Sequence, residues 1–313
     1  MTIKLRAELI ADRGEAATSD DFFRSRAFYD AEGVTHTLRI EGDNGEARVP
    51  LLVREIPGTE RLDATSPYGY PGAVVEASAT SAPPSDVDWS GVGLVSVFGR
   101  ERLGGEPWLA GARERSAVLL HDPARPRRVR PRLAEQIRSN KRRGWSVQRI
   151  SGPDASPEQR ADFERAYEQT MRRADAAERY FFSSDYFQSA LSFGDSWLLL
   201  ATAASGEVGA GAIVVRSDAM LHYFLGGTAE EQLPESPFKN AVEAMMSLAD
   251  ELALPLNLGG GVRPGDGLEA FKRGFANSEL PFRTHEIVTD EDEYERLSAG
   301  RPQSGFFPAY RAD

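Results

Sequence analysis

The sequence predicts an α/β (α+β) chain of two tandem lobes, each a mixed, mostly antiparallel sheet flanked by helices, with a cleft between them. Three observations predict it. At 313 residues the chain matches two domains of ordinary size. Its second half reads helix, helix, three strands, helix, strand, helix, strand. Its first half reads as a looser copy of that order, with no exact sequence repeat.

The second half is the clearer one. A strand over 145–150 precedes Ser156-Pro157-Glu158, an N-cap residue followed by proline at the first helical position. Phe163, Tyr167, Met171 and Ala174 then recur at helical spacing. A short helix over 184–193 leads into strands over 197–203, 208–216 and 220–226, separated by the turns Ser205-Gly206 and Ser217-Asp218. Ser236-Pro237 opens a helix with Phe238, Val242, Met245 and Ala249 along one side. A strand over 254–258 ends in Gly259-Gly260-Gly261, and Asp266 with Glu269 predicts a capping box for a helix reaching 275. A last strand falls near 282–288. In the first half, a helix over 21–31 precedes strands over 35–41, 47–56, 94–98 and 117–121. A Pro- and Ser-rich loop over 78–85 interrupts it, and a helix over 131–143 leads into the second half. The expected division is 1–143 for the first lobe and 144–284 for the second.

Composition narrows the chemistry. There is no cysteine, which excludes disulfides, zinc–thiolate sites and a thiol nucleophile. His36, His121, His222 and His285 show no metal-ligand spacing, and no Gly-x-Ser-x-Gly elbow marks a hydrolase serine. No apolar run is long enough to span a bilayer, and the start carries no apolar signal core, so the expected location is cytoplasmic. The formal net charge is −11, yet residues 123–149 hold ten Arg and Lys against the single acid Glu135. Such an island suits a phosphate-bearing ligand better than the net charge suggests.

Four stretches together resemble the FemAB family of aminoacyltransferases and its acetyltransferase-like (GNAT) relatives. They are Ser66-Pro67-Tyr68-Gly69-Tyr70-Pro71-Gly72; Ile137-Arg138-Ser139-Asn140-Lys141-Arg142-Arg143-Gly144; His222-Tyr223-Phe224-Leu225-Gly226-Gly227-Thr228; and Leu258-Gly259-Gly260-Gly261 through Phe271-Lys272-Arg273-Gly274-Phe275. The element order of the second half is also that of a GNAT lobe. The resemblance covers about residues 20–297 and implies two GNAT-like lobes, with residues 285–313 returning to the first. It implies transfer of an amino acid from aminoacyl-tRNA to an amine of a small-molecule or peptide acceptor, in natural-product (antibiotic) or cell-wall-related biosynthesis, with no cofactor. Two departures qualify it. Where cell-wall members carry a phosphate-contacting lysine, this chain has Glu32 after Arg24-Ser25-Arg26-Ala27-Phe28. Where acetyltransferases carry a glycine-rich pyrophosphate loop, residues 229–237 are acidic and lack glycine, which disfavours an acyl-CoA donor. An acyl-CoA-dependent N-acyltransferase and a non-catalytic protein that binds an anionic ligand are the alternatives.

Amine attack on an ester needs a polarised carbonyl and a neutral nucleophile. Lys272 flanks Leu268, Phe271 and Phe275, which places a cation at the edge of a core; the alternative is a lysine whose ammonium reaches solvent. The resemblance makes Lys272 catalytic. It aligns Glu76 with a family carboxylate, a candidate general base, where a strand-surface position is the alternative. Arg138, Lys141 and Arg142 share a helix face that suits tRNA phosphate, or they complement the helix C-terminal dipole. Arg172 and its neighbour Arg173 suit an acceptor carboxylate or phosphate, or simply solvated surface. Tyr68, Tyr70 and Tyr180 suit an acceptor amine, or aromatic packing. Gly259-Gly260-Gly261 suits an anion nest or a tight turn.

Overall fold

The structure, a computed structural model, describes residues 5–12, 14, 17–18, 21–42, 45–77, 82–261, 263, 265–301 and 305–312. Residues 78–81 of the expected Pro- and Ser-rich loop lie outside the described residues, as do 302–304 and 313 of the expected returning tail. The chain is a mixed α/β protein whose helices flank mostly antiparallel sheet. It divides into two compact units, 1–116 with 281–313, and 117–280.

In the first unit, β1 (Leu5–Ile10), β2 (His36–Gly42) and β3 (Gly45–Glu55) form an antiparallel meander. β3 also pairs with β4 (Leu62–Thr65) and β5 (Val74–Ala77), and the two-residue β6 (Val87–Asp88) runs parallel to β1. β7 (Ser96–Arg100) lies parallel to β4; its other edge pairs with residues 284–288. Alternation explains the core: Leu38 and Ile40, Val49 and Leu51, and Val97 are inward and fully buried, under Trp108 and Leu109. The helix expected over 21–31 is broken. A 3-10 turn over Phe22–Arg24 ends at Ser25, whose hydroxyl then caps α1 (Arg26–Glu32) by accepting from Phe28 N–H.

The second unit begins in β8 (Arg113–His121), followed by α2 (Pro131–Arg142), β9 (Ser146–Ser151), α3 (Pro157–Arg173) and α4 (Ser184–Ser192). Next come β10 (Ser196–Thr202), β11 (Val208–Ser217), β12 (Met220–Thr228), α5 (Phe238–Leu252), β13 (Leu256–Gly259) and α6 (Gly267–Lys272). β9 to β12 are successive antiparallel neighbours; β12 to β13 is parallel, and β13 pairs antiparallel with β8. β11 is buried almost throughout because α3 covers one face and α5 the other. Gly227 of β12 makes the α3 side possible: a Cβ there would fall 2.4 Å from Ala166 O. Ser156 and Gln159 form the reciprocal capping box at the start of α3.

The chain closes with β14 (Ser278–Val288) and α7 (Glu291–Ser298), an acidic helix the sequence pattern did not suggest. In the first unit, Arg311 and Tyr310 reach the fully buried Asp63, at 2.5 and 3.2 Å, and Tyr310 also meets Ser96 at 2.7 Å.

Candidate functional site

The one parallel step in the second unit's sheet creates an opening. β12 and β13 are in register only at Leu221↔Leu256 and His222↔Asn257. Beyond that point β12 continues beside β11 to Thr228, while β13 stays beside β8, from Leu256↔His121 to Gly259↔Leu119. Past His222 and Asn257 the two strands are no longer paired with each other, and this wedge has Tyr223 on one side and the three glycines on the other.

Side chains from three elements line this wedge. The Tyr223 and Phe238 rings meet at 5.5 Å, Phe238 and Phe271 at 6.5 Å, and Phe271 and the buried Phe275 at 5.3 Å. Lys272, the last residue of α6, points its ammonium at the wedge. Nζ donates to Gly260 O at 2.8 Å and lies 5.4 Å from the centre of the Tyr223 ring. Gly259 has φ +78°, a conformation that favours glycine, and a Cβ there would sit 2.9 Å from Nζ. Asn257 sets the turn by accepting from Gly259 N–H at 2.7 Å. Its amide meets His222 Nδ1 at 3.0 Å, and His222 Nε2 lies 3.2 Å from Ser217 O. That pattern fits a neutral imidazole that donates from Nε2 and accepts at Nδ1.

The electrostatics follow from burial. Desolvation pulls the Lys272 ammonium down to about 8, with the Asp266 charge opposing. One of three N–H donors goes to Gly260 O, and the others have no hydrogen-bond partner among the described residues. The result is a cation, still mostly charged at neutral pH, with donors aimed into an aromatic-lined opening. It differs in detail from the sequence expectation. α6 ends at Lys272 instead of reaching 275, and Leu268 is exposed, so the lysine borders Phe271 and Phe275 but no three-residue stripe. Asp266 caps α6 by accepting from Glu269 N–H, while the Glu269 carboxylate takes Gly265 N–H, one residue before the expected position.

The basic island folds differently from its charge count. Arg138 and Arg142 pair with Glu135 at 2.8 and 3.0 Å, and Lys141 pairs with Glu243 at 2.6 Å. Arg127 and Arg149 are met by Asp250 and Glu251 of α5. The acidic 229–237 loop changes too: Glu235 accepts from Trp145 Nε1 at 2.5 Å and lies 3.6 Å from Arg143. An open groove of about 460 Å³ lies beside Lys141, Trp145, Arg149 and Asn240. It shares none of the neighbours of Lys272, and its cations are already paired.

The remaining candidates sit as follows. Arg172 is exposed on α3 and pairs with Glu168 at 2.6 Å; Arg173 reaches Thr170 at 3.1 Å. Tyr180 is half-buried beneath the Arg179 guanidinium at 4.9 Å, and its carbonyl accepts from the Tyr167 hydroxyl. Glu76 lies on β5, largely exposed, paired with Arg48 at 2.5 Å. The 66–72 loop is strapped down within the first unit. Arg100 donates to Ser66 O, the buried Arg24 donates to Pro71 O, and Glu32 accepts from Tyr68 N–H at 2.7 Å. Tyr70 packs edge-on between Phe23 and Phe282, leaving Tyr68 exposed. Glu32, at the position where the resemblance expects a lysine, thus holds a loop.

Two of the four resembling stretches therefore converge, at Tyr223 and at Gly259–Lys272. Sequence reasoning did not single out Tyr223, Phe238 or Asn257. Tyr223 stood within a quoted stretch and Phe238 on the apolar side of the helix after Pro237, while Asn257 carried no local signal. The histidines are bound in separate surroundings, His121 on Asp250 at 2.7 Å and His285 on Glu101 at 2.5 Å, and no group of three metal-ligating side chains occurs among the described residues. Nor is any helix long and apolar enough to cross a membrane among those residues.

No protein-family model and no curated protein matches the sequence. Solved structures do. A crystal structure of FemX superimposes with TM-score 0.59 at 13% identity, covering 92% of this chain and 99% of FemX. L-PGS from Bacillus licheniformis gives 0.54 at 12% identity, covering 84% and 90% of the two chains. A conserved protein of unknown function from Bacteroides thetaiotaomicron gives 0.52 at 9% identity, covering 87% and 93%. The chain has the fold of FemX and of L-PGS.

Proposed function

We propose that this protein is an acyltransferase that moves an aminoacyl group from aminoacyl-tRNA to an amine of a small-molecule or peptide acceptor. The observation that carries the reading is Lys272: a half-buried ammonium with unused donors at the parting of β12 and β13. The acceptor amine attacks the ester carbonyl, and the C–N bond forms as the carbonyl oxygen takes up negative charge. Lys272 meets that charge in a poorly solvated wedge, where a fixed cation acts more strongly than in water. The C–O bond to the ribose then breaks, and the proton lost by the amine ends on the ribose oxygen. The ester is already activated, so no further cofactor is required. The FemX-like fold over nearly the whole chain supports the same class of chemistry. Natural-product or cell-wall precursor assembly is the proposed setting, with Tyr68, Tyr70 and Tyr180 as acceptor-side candidates and Glu76 as candidate base.

The test is to incubate the purified protein with total tRNA charged with each amino acid and a panel of amines and short peptides. A new amide by mass spectrometry, formed with stoichiometric release of uncharged tRNA, is the expected result. Amide formation from acetyl-CoA, with charged tRNA untouched, would replace the donor.

A further inference from the structure

The wedge has an apex, and two buried polar side chains close it. His222↔Asn257 is the last register position at which β12 and β13 are paired. The two side chains meet there: the Asn257 amide donates to His222 Nδ1 at 3.0 Å, and His222 Nε2 donates to Ser217 O at 3.2 Å. Both residues are only 1% exposed. Ser217 ends β11 and pairs with Met220; between them Asp218 and Ala219, both at positive φ, make a two-residue hairpin turn. The pair therefore ties the apex to a tight turn of fixed backbone.

On its other side Asn257 accepts from Gly259 N–H at 2.7 Å. That donor is spent within the turn and offers nothing to a neighbouring strand, so the side chain competes with the ladder where β12 and β13 part. Gly260 follows, packed so closely on β8 that an added Cβ would lie 3.2 Å from Ala117 O. Its carbonyl takes the Lys272 ammonium at 2.8 Å, and no other hydrogen-bond acceptor meets that ammonium among the described residues. A series of contacts thus runs from Ser217 through His222, Asn257 and the Gly259–Gly260 turn to Nζ. An apolar pair would close the apex without the desolvation that a buried amide and imidazole cost. What the polar pair adds is direction: it fixes where Gly259 N–H, and with it the Gly260 carbonyl, points.

We propose that His222 and Asn257 are positioning residues for Lys272. Asn257 fixes the turn whose carbonyl holds the ammonium, and His222 holds Asn257 in the orientation that leaves its oxygen for Gly259. The proposal rests on the acyltransferase reading for what Lys272 does, but not for where it is held. Neither residue acts on the substrate itself. Losing the turn displaces the ammonium from the developing oxyanion, and a misplacement of about 1 Å costs up to ~10²-fold in rate.

The sequence holds four lysines, Lys4, Lys141, Lys239 and Lys272. Trace labelling with acetic anhydride across pH, read peptide by peptide by mass spectrometry, therefore titrates each one separately. The proteins are wild type, N257A, N257S and H222L, with transfer from charged tRNA assayed alongside. Serine keeps an oxygen two residues before Gly259 N–H, and alanine does not. In N257A and H222L the Lys272 midpoint should leave its position near 8 and rise toward 10.5 as the ammonium is released to solvent, with Lys141 and Lys239 unchanged. N257S should bring the midpoint back. In the transfer assay, N257A should lower kcat about tenfold, with KM for charged tRNA within about twofold of wild type, and cost nothing further in a K272M chain. N257S should recover kcat to within about threefold of wild type. A merely structural pair would instead lower the melting temperature and kcat alike in N257A and N257S, and its loss would add to that of K272M. A Lys272 midpoint that stays near 8 in both N257A and H222L overturns the positioning, whatever the assay shows. If wild type transfers nothing from any charged tRNA while the midpoint moves as described, the positioning stands and the tRNA donor falls. If N257A does not fold, H222L makes the same comparison in a chain that keeps Asn257.

Discussion

Two helix ends offered cations to the sequence reading, and the fold treats them in opposite ways. Lys272 closes α6 half-buried, with one carbonyl as its hydrogen-bond acceptor and its ammonium pulled down to about 8. Arg172 sits in the last turn of α3, exposed and tied to Glu168 one turn earlier. The residue types and their helical positions are similar; their surroundings are not. A cation becomes chemically useful where desolvation raises its energy and nothing on the protein neutralises it. On a solvated helix face an i, i+4 carboxylate already does so. The comparison extends to the α2 face, where Arg138, Lys141 and Arg142 resemble Arg172.

The largest effect is expected at Lys272. Lys272→Met keeps the apolar stem and removes the charge, so kcat and kcat/KM should fall together by about 10²–10³, with KM little changed. A rise in KM alone would show that the ammonium binds a ground-state anion instead. Stability should move the other way. A lysine depressed from 10.5 to about 8 is less readily protonated folded than unfolded. Its contribution to stability is unfavourable below pH 8 and improves as pH rises from 8 to 10.5, by up to ~3 kcal/mol before the lost Gly260 contact is counted. Lys272→Met should therefore melt no lower than wild type at pH 7, and the high-pH gain should vanish in the variant. A fall of several degrees would mean that the lysine is structural.

Asp63 sharpens the same contrast from the opposite side. It is fully buried, but Arg54, Arg311 and Tyr310 all meet it. Asp63→Asn should cost about 3 kcal/mol, because breaking a buried pair strands its partners. Chemical denaturation measures this, and an effect below about 1 kcal/mol would show that the tail segment 305–312 is held by its aromatic contacts with Tyr294 instead.

The ammonium form of Lys272 gives a third prediction. If the charged lysine stabilises the oxyanion, the rate should have a descending limb as pH passes about 8. Lys272→Arg, whose guanidinium stays charged, should lose that limb even if its overall rate is low. A limb that survives in the arginine variant belongs to another group.

Much of this contrast was legible before the structure, and the rest was not for identifiable reasons. The N-cap at Ser156, the turns at Ser205-Gly206 and Ser217-Asp218, and the helix after Pro237 all rest on local signals, and all are present. β4, β5 and β6 are two to four residues long and carry too little alternation to read. α7 is mostly acidic, with little apolar face. Lys272 was singled out by the resemblance and by its place beside Phe271; its contacts with Gly260 and Asp266 are local in sequence, whereas that with Tyr223 is not. The pairing of the basic segment could not be read because its counter-charges are remote: Glu243, Asp250 and Glu251 come from a helix about a hundred residues later. Charge along a chain predicts charge on a surface only where pairing is local.

On the α2 face itself, R138Q/K141Q/R142Q should change transfer activity less than threefold. The exposed pairs it removes contribute little to stability, because solvent and salt screen them. A tenfold loss of activity with an unchanged melting temperature would return the donor's phosphates to this face.

Arg172→Gln is the smallest expected effect and the most direct control for the comparison. Its guanidinium holds Glu168 across one helical turn at 2.6 Å, with the side chain 69% exposed. Such pairs contribute roughly 0.3–0.5 kcal/mol, which salt screens further. Glutamine keeps the helix propensity and most of the stem, so the melting temperature should shift by no more than a degree or two. If Arg172 clamps the acceptor, it must release Glu168 to do so, and KM for the acceptor should rise severalfold at unchanged kcat. If it is solvated surface, both constants stay within twofold. The paired geometry favours the second outcome, since a guanidinium engaged by a carboxylate one turn away gains little by exchanging it for another. A KM effect confined to anionic acceptors would break the comparison, by showing that an exposed, paired arginine can still select substrate.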